Sequence, residues 1–94
     1  MNAKGFHRKL QTELGSKAQV LGVRIEMNPA RTGQVIKMML RCRGETEPVL
    51  FRKVVMNGVS LMGIPAACAN EISTLRNLTD EPLEKVNLQP EVRT

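Results

Sequence analysis

The 94-residue chain has no tryptophan and no tyrosine, and Phe6 and Phe51 are its only aromatic side chains. A core closed without aromatic bulk must be filled by aliphatic side chains and by the six methionines. The same shortage removes the exposed rings on which sheet platforms stack bases, which excludes sequence readout by aromatic stacking. Histidine occurs once, as His7 beside Arg8 and Lys9 in a helical stretch. That setting does not suggest a general base. Cys42 and Cys68 stand 26 positions apart with no CxxC and no partner histidine, so two free core thiols are expected, with neither a zinc site nor a redox pair. The glycines form neither GxGxxG nor GxxxxGK[ST], and no phosphate cradle is implied. Glu45 and Glu47 share a turn with no further ligand nearby in sequence, as a solvated loop does. No stretch offers about eighteen consecutive apolar residues, and residues 1–15 hold no apolar run of signal-peptide length. The expectation is a soluble, cytoplasmic protein with no membrane partner, no catalytic residues, no metal and no cofactor.

Positive charge is the feature in surplus. Fourteen Lys and Arg stand against nine Asp and Glu, for a net +5. Residues 1–60 hold eleven bases and four acids, whereas residues 61–94 hold three bases and five acids. The first two-thirds of the chain therefore carry a positive field, which draws phosphate-bearing or acidic partners.

The pattern of apolar residues predicts a single α+β domain. Ala3, Phe6, Leu10 and Leu14 recur at helical spacing, with Lys4, Arg8 and Gln11 opposite and Gly15 placed to end the helix. Residues 18–27, AQVLGVRIEM, alternate as a strand does, with Leu21, Val23, Ile25 and Met27 on one face and Gly22, Arg24 and Glu26 on the other. NPARTG, at 28–33, reads as a hairpin loop with Arg31 at its tip. In the following strand Ile36, Met38, Leu40 and Cys42 share one face, which leaves Lys37, Met39, Arg41 and Arg43 on the other.

A third strand is expected over 49–56. Its register is open: either Val49, Phe51 and Val55 point inward and Arg52 outward, or the order is reversed and Lys53 is outward. Asn57-Gly58 suits a type I′ turn and predicts a fourth, short strand over 59–62. Pro65 then opens a second helix with an apolar stripe through Cys68, Ile72 and Leu75. Residues 78–90 admit a short helix, an edge strand through Val86 and Leu88, or a docked tail. The expected fold is an antiparallel three- or four-stranded meander flanked by an N-terminal and a C-terminal helix, a domain over 1–90 with a loose tail at 91–94.

Arg24, Arg31, Lys37, Arg41, Arg43 and Arg52 are the candidate contact residues: the strand pattern gathers Arg24, Lys37, Arg41, Arg43 and one of Arg52 or Lys53 on one face, with Arg31 at a loop tip and Glu26 as the only matching acid. A solvated sheet face also needs polar residues, and Lys or Arg at edges prevent aggregation. Met39 is either core filler or an adaptable apolar spot within a basic interface.

The order helix, meander, helix resembles that of double-stranded RNA-binding domains. That family opens its second helix with lysines, whereas the corresponding GIPAACANEI here has neither lysine nor arginine. A compact basic chain with no catalytic constellation, no metal site and no secretion signal also resembles the small phage anti-CRISPR proteins that act on type I surveillance complexes. This second resemblance implies a stoichiometric inhibitor that lies on the RNA and protein of the complex and blocks target DNA pairing. Nucleic acid, as RNA or DNA backbone, and protein subunits of a nucleoprotein complex are then the expected partners. The alternatives are a free DNA- or RNA-binding regulator and an adaptor for an acidic protein surface.

Overall fold

The computed structural model describes residues 1–78. The expectations for residues 79–94, including the edge strand through Val86 and Leu88, the domain end at 90 and the loose tail at 91–94, lie outside the described residues.

Helix α1 spans Ala3–Leu14. The Asn2 side-chain oxygen accepts a hydrogen bond from the Gly5 N–H at 2.8 Å, satisfying a donor that the first helical turn would leave unpaired. Phe6, Leu10 and Leu14, one turn apart, are fully buried. A single 3-10 turn, Gly15–Lys17, leads into β1, Ala18–Met27. Strands β2, Gly33–Cys42, and β3, Val49–Met56, complete an antiparallel sheet in the order β1-β2-β3. Helix α2 spans Ile64–Leu75, with Pro65 in its first turn.

α2 ends in a Schellman motif. Asn77 takes a φ of 55°, the Leu78 N–H donates to the Ser73 carbonyl at 2.8 Å, and the Asn77 N–H donates to the Thr74 carbonyl at 3.3 Å. The motif turns Leu78 back against the core.

One face of the sheet carries the core. Ala18, Val20, Ile36, Met38, Leu40, Cys42 and Val55 are buried with Phe6, Leu10 and Leu14 of α1 and Cys68, Ala69 and Ile72 of α2. Both cysteines are free and buried, as expected. Among the described residues no element covers the opposite face.

The fold departs from the expected pattern in three places. In β1, Val20 pairs with Leu40 but Gly22 pairs with Met39, so Leu21 is an extra residue in a β-bulge. Ala18 and Val20 therefore face the core before the bulge, and Val23 and Ile25 after it. Leu21 is exposed instead of sharing their face, and Met27 lies beyond the end of the core. Second, the fourth strand over 59–62 does not form: Val59 and Ser60 take no regular structure, and Leu61 and Met62 make a bend and a turn. Gly58 has a φ of 87° while Asn57 does not take a positive φ, and the Val59 N–H donates to the Met56 carbonyl at 3.2 Å. This is the hand of a type II turn, and it does not return the chain as a hairpin. Third, Leu75 at the end of α2 is 73% exposed, so the buried stripe of that helix is Cys68, Ala69 and Ile72.

The register between β2 and β3 is pinned at one end. Gly33 pairs with Met56, and a Cβ on Gly33 would overlap the Val55 carbonyl oxygen and lie 3.0 Å from the Met56 Cα. Here glycine is needed for close approach of two backbones. Next to it the Asn57 N–H donates to the Thr32 carbonyl at 2.9 Å, and the Asn57 side-chain amide donates to the Arg31 carbonyl at 2.9 Å.

Candidate functional site

The β2–β3 register settles the phase of the third strand. Phe51 pairs with Met38 on the core side, whereas Arg52 pairs with Lys37 on the open side. Lys53 thus points toward α2, where its Nζ lies 3.2 Å from Glu71 Oε2. Arg24 pairs with Lys37 from the other strand. The sheet therefore sets Arg24, Lys37 and Arg52 in one row across all three strands, with neighbouring strands about 4.8 Å apart. Like charges directly opposite one another destabilise an antiparallel pair, so folding alone does not favour such a row.

Glu26 is the only acid on this face among the described residues. Its carboxylate lies 3.0 Å from Lys37 Nζ and 3.7 Å from Arg24 Nε. The hydrogen bond and charge of Lys37, helped by Arg24 and Arg52, hold the Glu26 carboxyl below its ordinary range. One negative charge is shared among three positive ones.

Rows on either side of the cations expose apolar side chains. Gly22, Met39 and Leu50 align in the next outward row on one side, with the bulged Leu21 beside them. Val35 and Val54 align on the other side, next to Glu26. Met39 is 37% exposed, Leu50 50% and Val54 56%. Two residues of strand rise about 6.7 Å, so the open face is banded at that interval, cationic at its centre, apolar on the Met39 and Leu50 flank, and apolar with Glu26 at its β1 end on the other. This apolar banding escaped the sequence analysis because residues 49–56 were read without their register; only Met39 was singled out.

The remaining candidate residues lie toward the ends of the face. Arg41 pairs with Gln19, is exposed, and stands four residues from Lys37, or about 13 Å along the strand. Arg43 lies past the end of β2, and its guanidinium donates to Ser16 Oγ at 2.7 Å while its N–H donates to the Lys17 carbonyl at 2.9 Å. It joins the β2 end to the turn after α1, outside the central row. Arg31 occupies the tip of the β1–β2 loop with a φ of 59°. That loop is held by Asn28, whose side-chain oxygen accepts from the Thr32 N–H at 2.9 Å and whose amide donates to Thr32 Oγ1 at 3.0 Å. The structure thus brings Arg24, Lys37 and Arg52 together, sets Arg41 and Arg31 at opposite ends, and uses Arg43 as a clasp.

Elsewhere the described residues offer little chemistry. No group of three His, Cys, Asp or Glu among them is placed to hold a metal ion, and no described helix is long and apolar enough to cross a membrane. Burial raises the Cys68 thiol to about 11 and pushes the Cys42 thiol upward as well, which disfavours the thiolate at both. His7 borders a shallow groove with Lys4, Arg8, Gln11 and Thr12, with no carboxylate among its lining residues. Comparison with family models, with curated proteins and with solved structures finds no match to the chain.

Proposed function

We propose that this is a non-enzymatic binding protein whose open sheet face contacts nucleic acid within a nucleoprotein complex. The observation that carries this reading is the in-register row Arg24, Lys37, Arg52, which opposes like charges across three strands with Glu26 as its sole acidic neighbour. An anionic backbone laid along the row would relieve that repulsion and release counterions. Arg41 and Arg31 would extend the contact beyond the row, and exposed Met39, Leu50 and Val54 would adapt to protein subunits of the same complex.

In its most specific form the proposal is an inhibitor from a phage or other mobile element that occupies a CRISPR surveillance complex and blocks target DNA pairing. The shortage of catalytic and metal-binding groups among the described residues suits a stoichiometric blocker. An adaptor for an acidic protein surface is the second reading, favoured by the apolar flanks of the row.

The first experiment titrates the purified protein against labelled single- and double-stranded DNA and RNA at low and at physiological ionic strength. Five cations, Arg24, Arg31, Lys37, Arg41 and Arg52, would give a log–log salt slope of up to about −3.5 on single strands or −4.5 on duplex DNA. Replacing Lys37 and Arg52 by glutamine is expected to shrink that slope by about 1.4 to 1.8. Binding to free nucleic acid favours a free regulator, and its absence directs the test to the assembled complex. A folded protein that binds neither free nucleic acid nor the complex would defeat the proposal and leave the adaptor. For the inhibitor form, purified type I surveillance complex is incubated with the protein, and loss of target-strand pairing is the expected result.

A further inference from the structure

We infer that the ligand of the open face is a single-stranded nucleic acid laid across the strands, its phosphates on the Arg24, Lys37, Arg52 row and its bases over Met39 and Leu50. The inference rests on the nucleic-acid reading above and adds to it the strandedness and the orientation of the ligand.

The cation row runs perpendicular to the strands, so an anionic backbone that follows it must do the same. The two flanks of the row are not equivalent. Glu26 stands on the Val35 and Val54 side, with its carboxylate against Lys37, and it repels phosphate there. The Gly22, Met39, Leu50 side carries no charged residue until Arg41, about 13 Å from the row. A base extending from a phosphate on the row therefore meets an apolar floor on that side only. At its β1 end the floor is flat, because Gly22 has no side chain and nothing stands within 4 Å of where a Cβ would be.

Bases of a duplex are already stacked on one another, and a duplex would set its phosphates and hydration against Met39 and Leu50. A single strand has base faces to place there, and it gains from doing so without sequence preference because every base has an apolar face. Aliphatic side chains supply less than aromatic ones, which matches a ligand tracked by its backbone and not read by its sequence.

A second copy docked face to face fits poorly. It would oppose two identical cation rows. Three strands of eight to ten residues present a footprint of only about 15 by 30 Å, against about 800 Å² per partner in a standard interface.

The test is fluorescence anisotropy with labelled oligo-dT and oligo-U and with a mixed-sequence duplex of equal length, at low ionic strength. The wild-type protein is expected to bind the single strands about tenfold or more tightly than the duplex. Met39→Ser combined with Leu50→Ser is expected to lower single-strand affinity about fivefold or more while leaving duplex affinity and the salt slope unchanged. Equal or tighter binding of the duplex by the wild type overturns the inference and leaves the nucleic-acid reading standing, and this comparison needs no variant to fold. Equal loss on both ligands in the double variant overturns it as well. Absence of binding to every oligonucleotide by protein shown folded by circular dichroism overturns the inference, and absence of binding to an assembled nucleoprotein complex as well overturns both.

Discussion

Replacing Gly33 by alanine is expected to be the most damaging single-methyl change in the sheet. The added Cβ would overlap the Val55 carbonyl oxygen and sit 3.0 Å from the Met56 Cα and 3.1 Å from the Val55 carbonyl carbon. All three are backbone atoms, so no rotamer change can relieve the contact. Restoring ordinary separation requires β2 and β3 to part by roughly 1 Å at that end. The Asn57 N–H to Thr32 carbonyl bond, now 2.9 Å, would then exceed hydrogen-bonding range.

Overpacking of this kind costs about 1–3 kcal/mol, and one or two lost hydrogen bonds cost about 0.5–1.5 kcal/mol each. The lower entropy of the unfolded alanine chain returns about 0.4–1 kcal/mol. The net loss is about 2–4 kcal/mol, against a total stability of about 4–12 kcal/mol for a domain of this size. With a urea m-value of about 1–2 kcal/mol/M, the unfolding midpoint should fall by about 1–4 M. Gly22→Ala is the control, because that site is open and its cost should stay within about 0.5 kcal/mol. Equal midpoints for the two variants would show that β2 and β3 do not approach as described. The register that turns Arg52 outward would then lose its anchor.

Arg52 and Lys53, adjacent in sequence, should separate by phenotype. Arg52→Glu is expected to abolish partner binding with stability changed by no more than about 0.5 kcal/mol, whereas Lys53→Glu should destabilise the fold through repulsion of Glu71, with binding by the folded fraction retained; oligonucleotide titration and urea melts measure both. Gln11→Ala removes a side chain that donates to the carbonyls of Gly15 at 3.0 Å and Ala18 at 2.9 Å and accepts from the Val20 N–H at 2.8 Å. About 1–3 kcal/mol of stability should be lost, seen as a thermal midpoint lower by several degrees. Cys42 and Cys68, buried and with thiols shifted upward, should resist a thiol-reactive dye at pH 8 in the native protein and react fully in urea. Prompt native-state labelling would contradict the packing of β2 against α2.

Much of the architecture was legible because period and punctuation agreed. α1 has Phe6, Leu10 and Leu14 at one-turn intervals and a glycine after the last, and β2 alternates without interruption from Ile36 to Cys42. Reading failed where a non-local partner decides. Nothing local in VLFRKVVM distinguishes Arg52 from Lys53, and the choice comes from pairing with β2 and from Glu71 on a helix 18 residues later. Asn57-Gly58 is a strong hairpin signal, yet Asn57 is held by the β1–β2 loop through Thr32 and Arg31, and the turn adopts the other hand. Leu75 keeps the helical period but falls where α2 has run past the core. The candidate site was legible as a set of bases. Its central row and its apolar flanks were not, because rows across a sheet exist only once register is known.

The bulge at Leu21 gives β1 two parities. Before it the residues that cannot tolerate a polar side chain are even-numbered, Ala18 and Val20; after it they are odd-numbered, Val23 and Ile25. Deleting one residue from a strand ordinarily turns everything beyond the gap inside out. Here the deletion of Leu21 alone would leave both halves on their present faces, since Val20 opposite Leu40 and Gly22 opposite Met39 would then be consecutive pairs. At the bulge β1 can therefore shorten by one residue and keep its core, whereas removal of Ile25 or Glu26, between Arg24 and the hairpin, would move Arg24 into an inward place.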